Sequence, residues 1–147
     1  MLFLAGSAIA VGSLYSEARA STRWETLEAI HWVENPYNLR TPGPCGELGA
    51  YQFRPETWRM HTRLPFREAL DRSRSDEVAV LHYDWLKAAL ERKGLEASVY
   101  NIALAWNAGL GAVISGRAPA VSRDYAARVE NIALELRAHQ QQLADAH

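Results

Sequence analysis

Pro36 constrains this chain more than any other residue. It lies two positions after Glu34, at the end of a segment with helical patterning. The residue before a proline is pushed out of the helical region, so a helix has to stop there. The stretch that follows, "NLRTPGPCGELGAYQF", carries Pro42, Gly43, Pro44, Gly46 and Gly49. Residues Tyr37 to Phe53 are therefore expected to form a loop, with room for a short hairpin, and not a helix. Upstream, Thr22-Arg23-Trp24-Glu25 has capping-box spacing with Thr22 as N-cap, which predicts a helix from about Arg23 to Glu34.

The rest of the chain reads as further helices. Pro55 suits the first turn of a helix running to about Thr62, and Pro65 opens a short helical segment through Ala69 and Leu70. Ser75 can cap a longer helix from Asp76 to Lys93, closed by Gly94. Its apolar stripe is read as Val78, Leu81, Trp85 and Ala89, with Leu86 beside it. Ser98 can cap a helix from Val99 to Asn107 that Gly109 and Gly111 end. A last helix is expected from near Ser122 through Tyr125, Val129, Ile132 and Leu136. Beyond Ala138 the chain is polar, "HQQQLADAH", and is expected to fray. The fold class is thus mainly α, with one irregular loop placed early.

Composition narrows the function classes. A chain of 147 residues suggests one domain, and 48% hydrophobic with 22% charged residues is ordinary for a globular protein. The formal net charge of -1 offers no basic field for nucleic acid. A single cysteine, Cys45, excludes an internal disulfide and any multi-cysteine metal site. The histidines, His31, His61, His82, His139 and His147, form no zinc-ligand spacing, so no metal or cofactor is expected. His31 is expected to be packed. Trp24 and Trp85 sit on apolar stripes and are expected in the core, while Trp32 and Trp58 could flank a groove. The cluster "RSRSDE" at Arg72 to Glu77 reads as a solvated helix start.

The first residues carry an apolar run from Leu2 to Val11, then Ala18-Arg19-Ala20, a small-x-small pattern suited to a signal-peptidase cut. The run is short for a membrane span, and no Lys or Arg precedes it. An export signal over residues 1–20 is expected, the other reading being an N-terminal core helix. No cysteine stands at the expected cut to carry a lipid, so no stable membrane anchor is expected. An exported, periplasmic or cell-wall-associated protein follows as the expected location.

Glu34 is the residue of chemical interest. At about 100° per residue, counted from Trp24, Glu34 falls at about 280°, between Leu27 at about 300° and Ile30 at about 240°. That places the carboxyl on the apolar face. Burial disfavours the anion, and so does the negative end of the helix macrodipole. Both would raise its pKa and keep a proton available near neutrality, as a general acid requires. The alternative is a frayed last turn that rotates Glu34 into water.

Four short motifs occur in order: "VENP", "GELGAYQF", "ALAWNAGLG" and "SRDYAARV". Together they resemble the soluble lytic transglycosylase domain of the lysozyme-like superfamily, over about Trp24 to Leu136. That family has a Glu that ends a helix and is usually followed by Ser. A Gly-Leu-Met-Gln type element, an Ala-Tyr-Asn-Ala-Gly type element and a Tyr on the last helix come after it. This chain departs from the pattern at Asn35, at Ala50-Tyr51 and at Trp106. The resemblance implies a lysozyme-like fold over residues 21–138, with a polar tail at 139–147. It implies peptidoglycan glycan strands as substrate, without nucleic acid, and leaves open an envelope or secretion-complex partner. It also implies Glu34 as the single catalytic acid/base, cleaving between N-acetylmuramic acid and N-acetylglucosamine with a 1,6-anhydro product. By the same resemblance Gly49, Tyr51, Gln52, Trp106, Asn107 and Tyr125 would bind substrate, with Tyr125 hydrogen-bonded to the Glu34 carboxyl. Read as residues alone, Gln52 could equally be a solvated amide and Asn107 a helix cap. Tyr125 could be a core tyrosine with another partner, and Gly49 a plain turn glycine. Glu47 reads as a solvated loop carboxylate. If it faced a groove, the pair could instead support a hydrolytic muramidase. The reading from a different class is a non-catalytic muropeptide-binding module.

Overall fold

The structure, a computed structural model, describes residues 22–146. The expected export segment lies outside the described residues. Helix α1 covers 22–34, followed by the loop and then α2 (Pro55–His61). A 3-10 turn (Phe66–Leu70) leads into α3 (Arg72–Arg92), α4 (Val99–Ala108), α5 (Leu110–Ile114) and α6 (Ala120–Asp145). The protein is mainly α-helical. Among the described residues extended pairing is limited to one antiparallel bridge, Leu48 with Phe53, inside the loop.

Helix α4 is the centre of the core because its sequence, VYNIALAWNA, is apolar on most of its surface. Ile102, Ala103, Leu104 and Ala105 are buried. The small side chains Ala126 and Ala133 of α6, with Val129, join the same cluster and let α6 pack against α4. Leu86 and Leu90 of α3, Ile30 of α1, and Phe53 and Trp58 belong to the same cluster.

Helix α1 is held on two sides by polar contacts at successive levels. Arg23 pairs with Asp84 of α3 at 3.2 Å, and Glu28 with Arg72 of α3 at 3.3 Å. Glu25 is completely buried, and its carboxylate meets Arg137 of α6 at 2.7 Å. A buried carboxylate is tolerated only with such a partner. Glu34, one residue before the chain turns, meets Tyr125 of α6 at 2.8 Å.

Several expectations are corrected. Thr22 lies inside α1 and not ahead of it. Helix α3 starts at Arg72 because Asp71, not Ser75, is its N-cap and accepts from the Arg74 N–H at 2.9 Å. Ser75 is completely buried. Of the expected α3 stripe Val78, Leu86 and Ala89 are buried, together with Ala79, His82, Tyr83 and Leu90. Leu81 and Trp85 are 49% and 39% exposed. Trp24 is also exposed, because α1 is buried on nearly every side except the strip Trp24–Glu28–Trp32, where Trp32 donates to Glu28. Trp58 is completely buried. Gly111 does not end a helix but lies in α5, a turn of helix that sequence patterning did not suggest. The segment after Ala138 is helical through Asp145.

The loop is fixed by its turn. Leu48 and Phe53 exchange two backbone hydrogen bonds of 3.0 Å around Gly49 to Gln52. The side chain of Asn35 ties this turn to the end of α1. It accepts from the Leu39 N–H at 2.8 Å and donates to the carbonyls of Leu39 at 3.0 Å and Gly49 at 3.2 Å. Gly49 has φ +81°, and a Cβ there would lie 1.8 Å from the Ala69 carbonyl oxygen. The glycine is demanded by that close approach of backbone to backbone. Gly46 has a similar φ of +80° but open space around it. Gly49→Ala is therefore expected to destabilise the protein by about 3 kcal/mol or more, from overpacking added to strain. Gly46→Ala should cost only about 1 kcal/mol, from the left-handed backbone alone. Urea unfolding of the two variants checks this; equal losses would contradict the packing role of Gly49.

Candidate functional site

Glu34 is the last residue of α1 because Asn35 and Pro36 take the chain out of the helix there. The Asn35 N–H still bonds the His31 carbonyl at 2.9 Å, so the final turn is closed rather than frayed. The Glu34 side chain is half-buried and stands at the wall of a cleft of about 520 Å³. Glu47, Gln52, Arg54, Thr57, His82, Trp106 and Asn107 also line this cleft. The loop supplies one wall and the C-terminal end of α4 the other.

The electrostatics of the two cleft carboxyls differ in sign. Burial drives the Glu34 carboxyl up from the ordinary 4.5 to about 7, against the Tyr125 hydrogen bond, which lowers it. The nearby Glu47 adds to the rise, and Arg128 opposes it. Tyr125 is itself pushed well above the usual tyrosine range, by burial and then by the neighbouring Glu34 charge, so it remains an O–H donor. Glu47 goes the other way. Burial raises it, but the backbone N–H groups of Glu47 and Cys45, together with Arg54, outweigh that and hold it below the usual carboxylate range. Its Oε2 accepts from the Cys45 N–H at 2.9 Å, and Arg54 lies 3.5 Å from Oε1. One carboxyl thus holds a proton near neutrality while its neighbour stays ionised, a division suited to acid–base chemistry.

The residues singled out in the sequence are divided by the fold. Glu34, Gln52, Trp106 and Asn107 line the cleft together. Gln52, at φ +49°, donates from Nε2 to the Gly49 carbonyl at 2.9 Å and so braces the turn as well. Trp106 is held by Phe53, with ring centroids 5.7 Å apart, and by His82 at 4.7 Å. Three expected substrate contacts are not at the cleft. Gly49 is buried against Ala69. Tyr51 is buried because its O–H is drawn to Asp76 at 2.7 Å, and its ring backs Trp106 at 6.1 Å. Tyr125 is buried and directs its O–H at Glu34, so it orients the acid from behind. Glu47, read as a solvated loop carboxylate, instead lines the cleft. His82, Arg54 and Thr57 were missed. His82 had a signal in the sequence, a polar residue at helical spacing between Val78 and Leu86, but the expected stripe ran through Leu81 and Trp85 instead.

His31 is packed, 5% exposed, between Asn38 at 3.1 Å and Arg72 at 3.1 Å. Among the described residues no group of three His, Cys, Asp or Glu side chains could hold a metal ion, and no described helix is long and apolar enough to cross a membrane. No protein-family model matches the chain, and no curated protein or solved structure shows significant similarity to it.

The raised Glu34 has a consequence for stability. The folded state binds its proton more tightly than the unfolded chain does, so stability falls as pH rises from about 4.5 to about 7. Glu34→Gln, which cannot ionise, escapes this loss. Relative to the parent, the variant is expected to gain roughly 3 kcal/mol on going from pH 4 to pH 8. Denaturant unfolding at both pH values measures it; a difference independent of pH would contradict a raised Glu34.

Proposed function

We propose that this protein is a peptidoglycan lytic transglycosylase with a lysozyme-like fold and Glu34 as its single acid/base. The observation that carries the reading is a carboxyl held near pKa 7 at the wall of an open cleft, with a buried tyrosine O–H 2.8 Å away. Further support comes from the cleft lining, where Gln52, Trp106 and Asn107 offer amide and aromatic groups suited to a saccharide. The sequence motifs that resemble lytic transglycosylases include these same residues.

In this mechanism Glu34 gives its proton to the glycosidic oxygen between N-acetylmuramic acid and N-acetylglucosamine, and the bond from that oxygen to C1 breaks. The substrate acetamido oxygen supports the positive charge at C1. The muramoyl 6-hydroxyl then closes on C1 and returns its proton to Glu34, leaving a 1,6-anhydro end without consuming water. One titrating carboxyl suffices. Tyr125 stabilises the anion formed after the first proton transfer, and the buried surroundings restore the acid afterwards.

A second reading, hydrolysis, draws on Glu47, which lines the same cleft and is held ionised. It would serve as the second carboxylate of a muramidase. Muropeptide mass analysis separates the two. Digestion of purified peptidoglycan is expected to give anhydro ends, and Glu34→Gln to lower the rate by about 100-fold or more. Glu47→Gln should leave the product unchanged. Ordinary reducing ends that vanish with Glu47→Gln would move the assignment to a hydrolase. Binding without cleavage would leave a muropeptide-binding module.

A further inference from the structure

His82 lies on α3, is only 7% exposed, and still lines the cleft beside Trp106. Its ring stacks on Trp85 at 5.7 Å and 11°, and meets Trp106 edge-on at 4.7 Å. Its Nδ1 is 3.0 Å from Nε2 of His61. A hydrogen bond between two imidazoles needs one nitrogen with a proton and one without. Burial, and secondarily His61, depress His82 to about 3, so the ring is neutral at ordinary pH.

A neutral imidazole has one donor and one acceptor nitrogen. Nδ1 is engaged by His61, whereas Nε2 has no hydrogen-bond partner among the described residues. The open space that His82 lines is the cleft. The ring is held by Trp85 and His61, so its orientation is fixed.

We propose that His82 is a saccharide-binding residue whose free ring nitrogen hydrogen-bonds a hydroxyl or acetamido group of a sugar lying along Trp106. This rests on the glycan reading above. An uncharged nitrogen suits an uncharged polar group better than a carboxylate or phosphate. The His61 contact adds a second feature: if His61 donates, His82 presents N–H to the cleft, and if His61 accepts, it presents a bare nitrogen. The pair can thus serve an acetamido carbonyl or a hydroxyl, the two kinds of group that an N-acetylated sugar offers.

The test uses tri-N-acetylchitotriose and the Glu34→Gln protein, which binds without turnover, labelled with nitrogen-15. The His82 Nε2 resonance is expected to shift on titration, with the same apparent Kd as the Trp106 indole. His82→Phe, checked for folding by its melting curve, should weaken binding about tenfold, and His82→Gln should recover part of the loss. A Trp106 response with an unmoved His82 nitrogen would overturn the proposal and leave the glycan reading standing. No response from any cleft residue would overturn both.

Discussion

The hydrogen bond from Tyr125 to Glu34 joins the last helix to the first, and the site depends on it. Its two ends are 91 positions apart in the chain. They meet because α4 sets α6 in place and because Pro36 ends α1 where it does. Burial and the bond act in opposite directions on the carboxyl. Burial alone would push the acid above the range in which it can give up its proton readily, and a fully solvated carboxyl would hold no proton at neutral pH. The balance at about 7 is the feature from which the acid–base reading follows.

The loop depends on the same end of α1. Asn35 uses its whole amide group to hold Leu39 and Gly49, so the residue next to the acid also anchors the turn that carries Gln52. Gly49 then lets this turn lie directly on the Ala69 carbonyl. Glu47 is placed by the same loop, and its ties to Cys45 and Arg54 keep it charged beside an uncharged acid. The aromatic wall has its own support. Tyr51 and His82, both buried, pack against Trp106.

Much of the helical order was legible because proline, glycine and capping residues punctuate it. Pro55, Ser98 and Gly109 each stand at the helix boundary that their chemistry suggests. Glu34 was also legible, since one proline fixes its distance from the helix end. What failed were particular members of the faces. In α3, Val78, Leu86 and Ala89 are buried as their spacing suggests, but Ala79 and His82 share that side while Leu81 and Trp85 face outward, so ranking residues by hydrophobicity picked two wrong members of the stripe. In α1 nearly every side is covered, and a buried Glu25 is made tolerable by Arg137, 112 positions away. Partners that distant leave no local trace. The length of α6 was missed for a related reason: its polar end has no apolar stripe to announce it. The burial of Gly49, Tyr51 and Tyr125 likewise reflects contacts with α3, the 3-10 turn and α1 that spacing alone does not reveal.

The central claim is that Glu34 holds its proton near neutrality. The direct measurement is a pH titration of the Glu34 side-chain carboxyl by carbon NMR, with the signal assigned through Glu34→Gln. A midpoint near 7 is predicted. A midpoint near 4.5, the value of an ordinary solvated glutamate, would contradict the account.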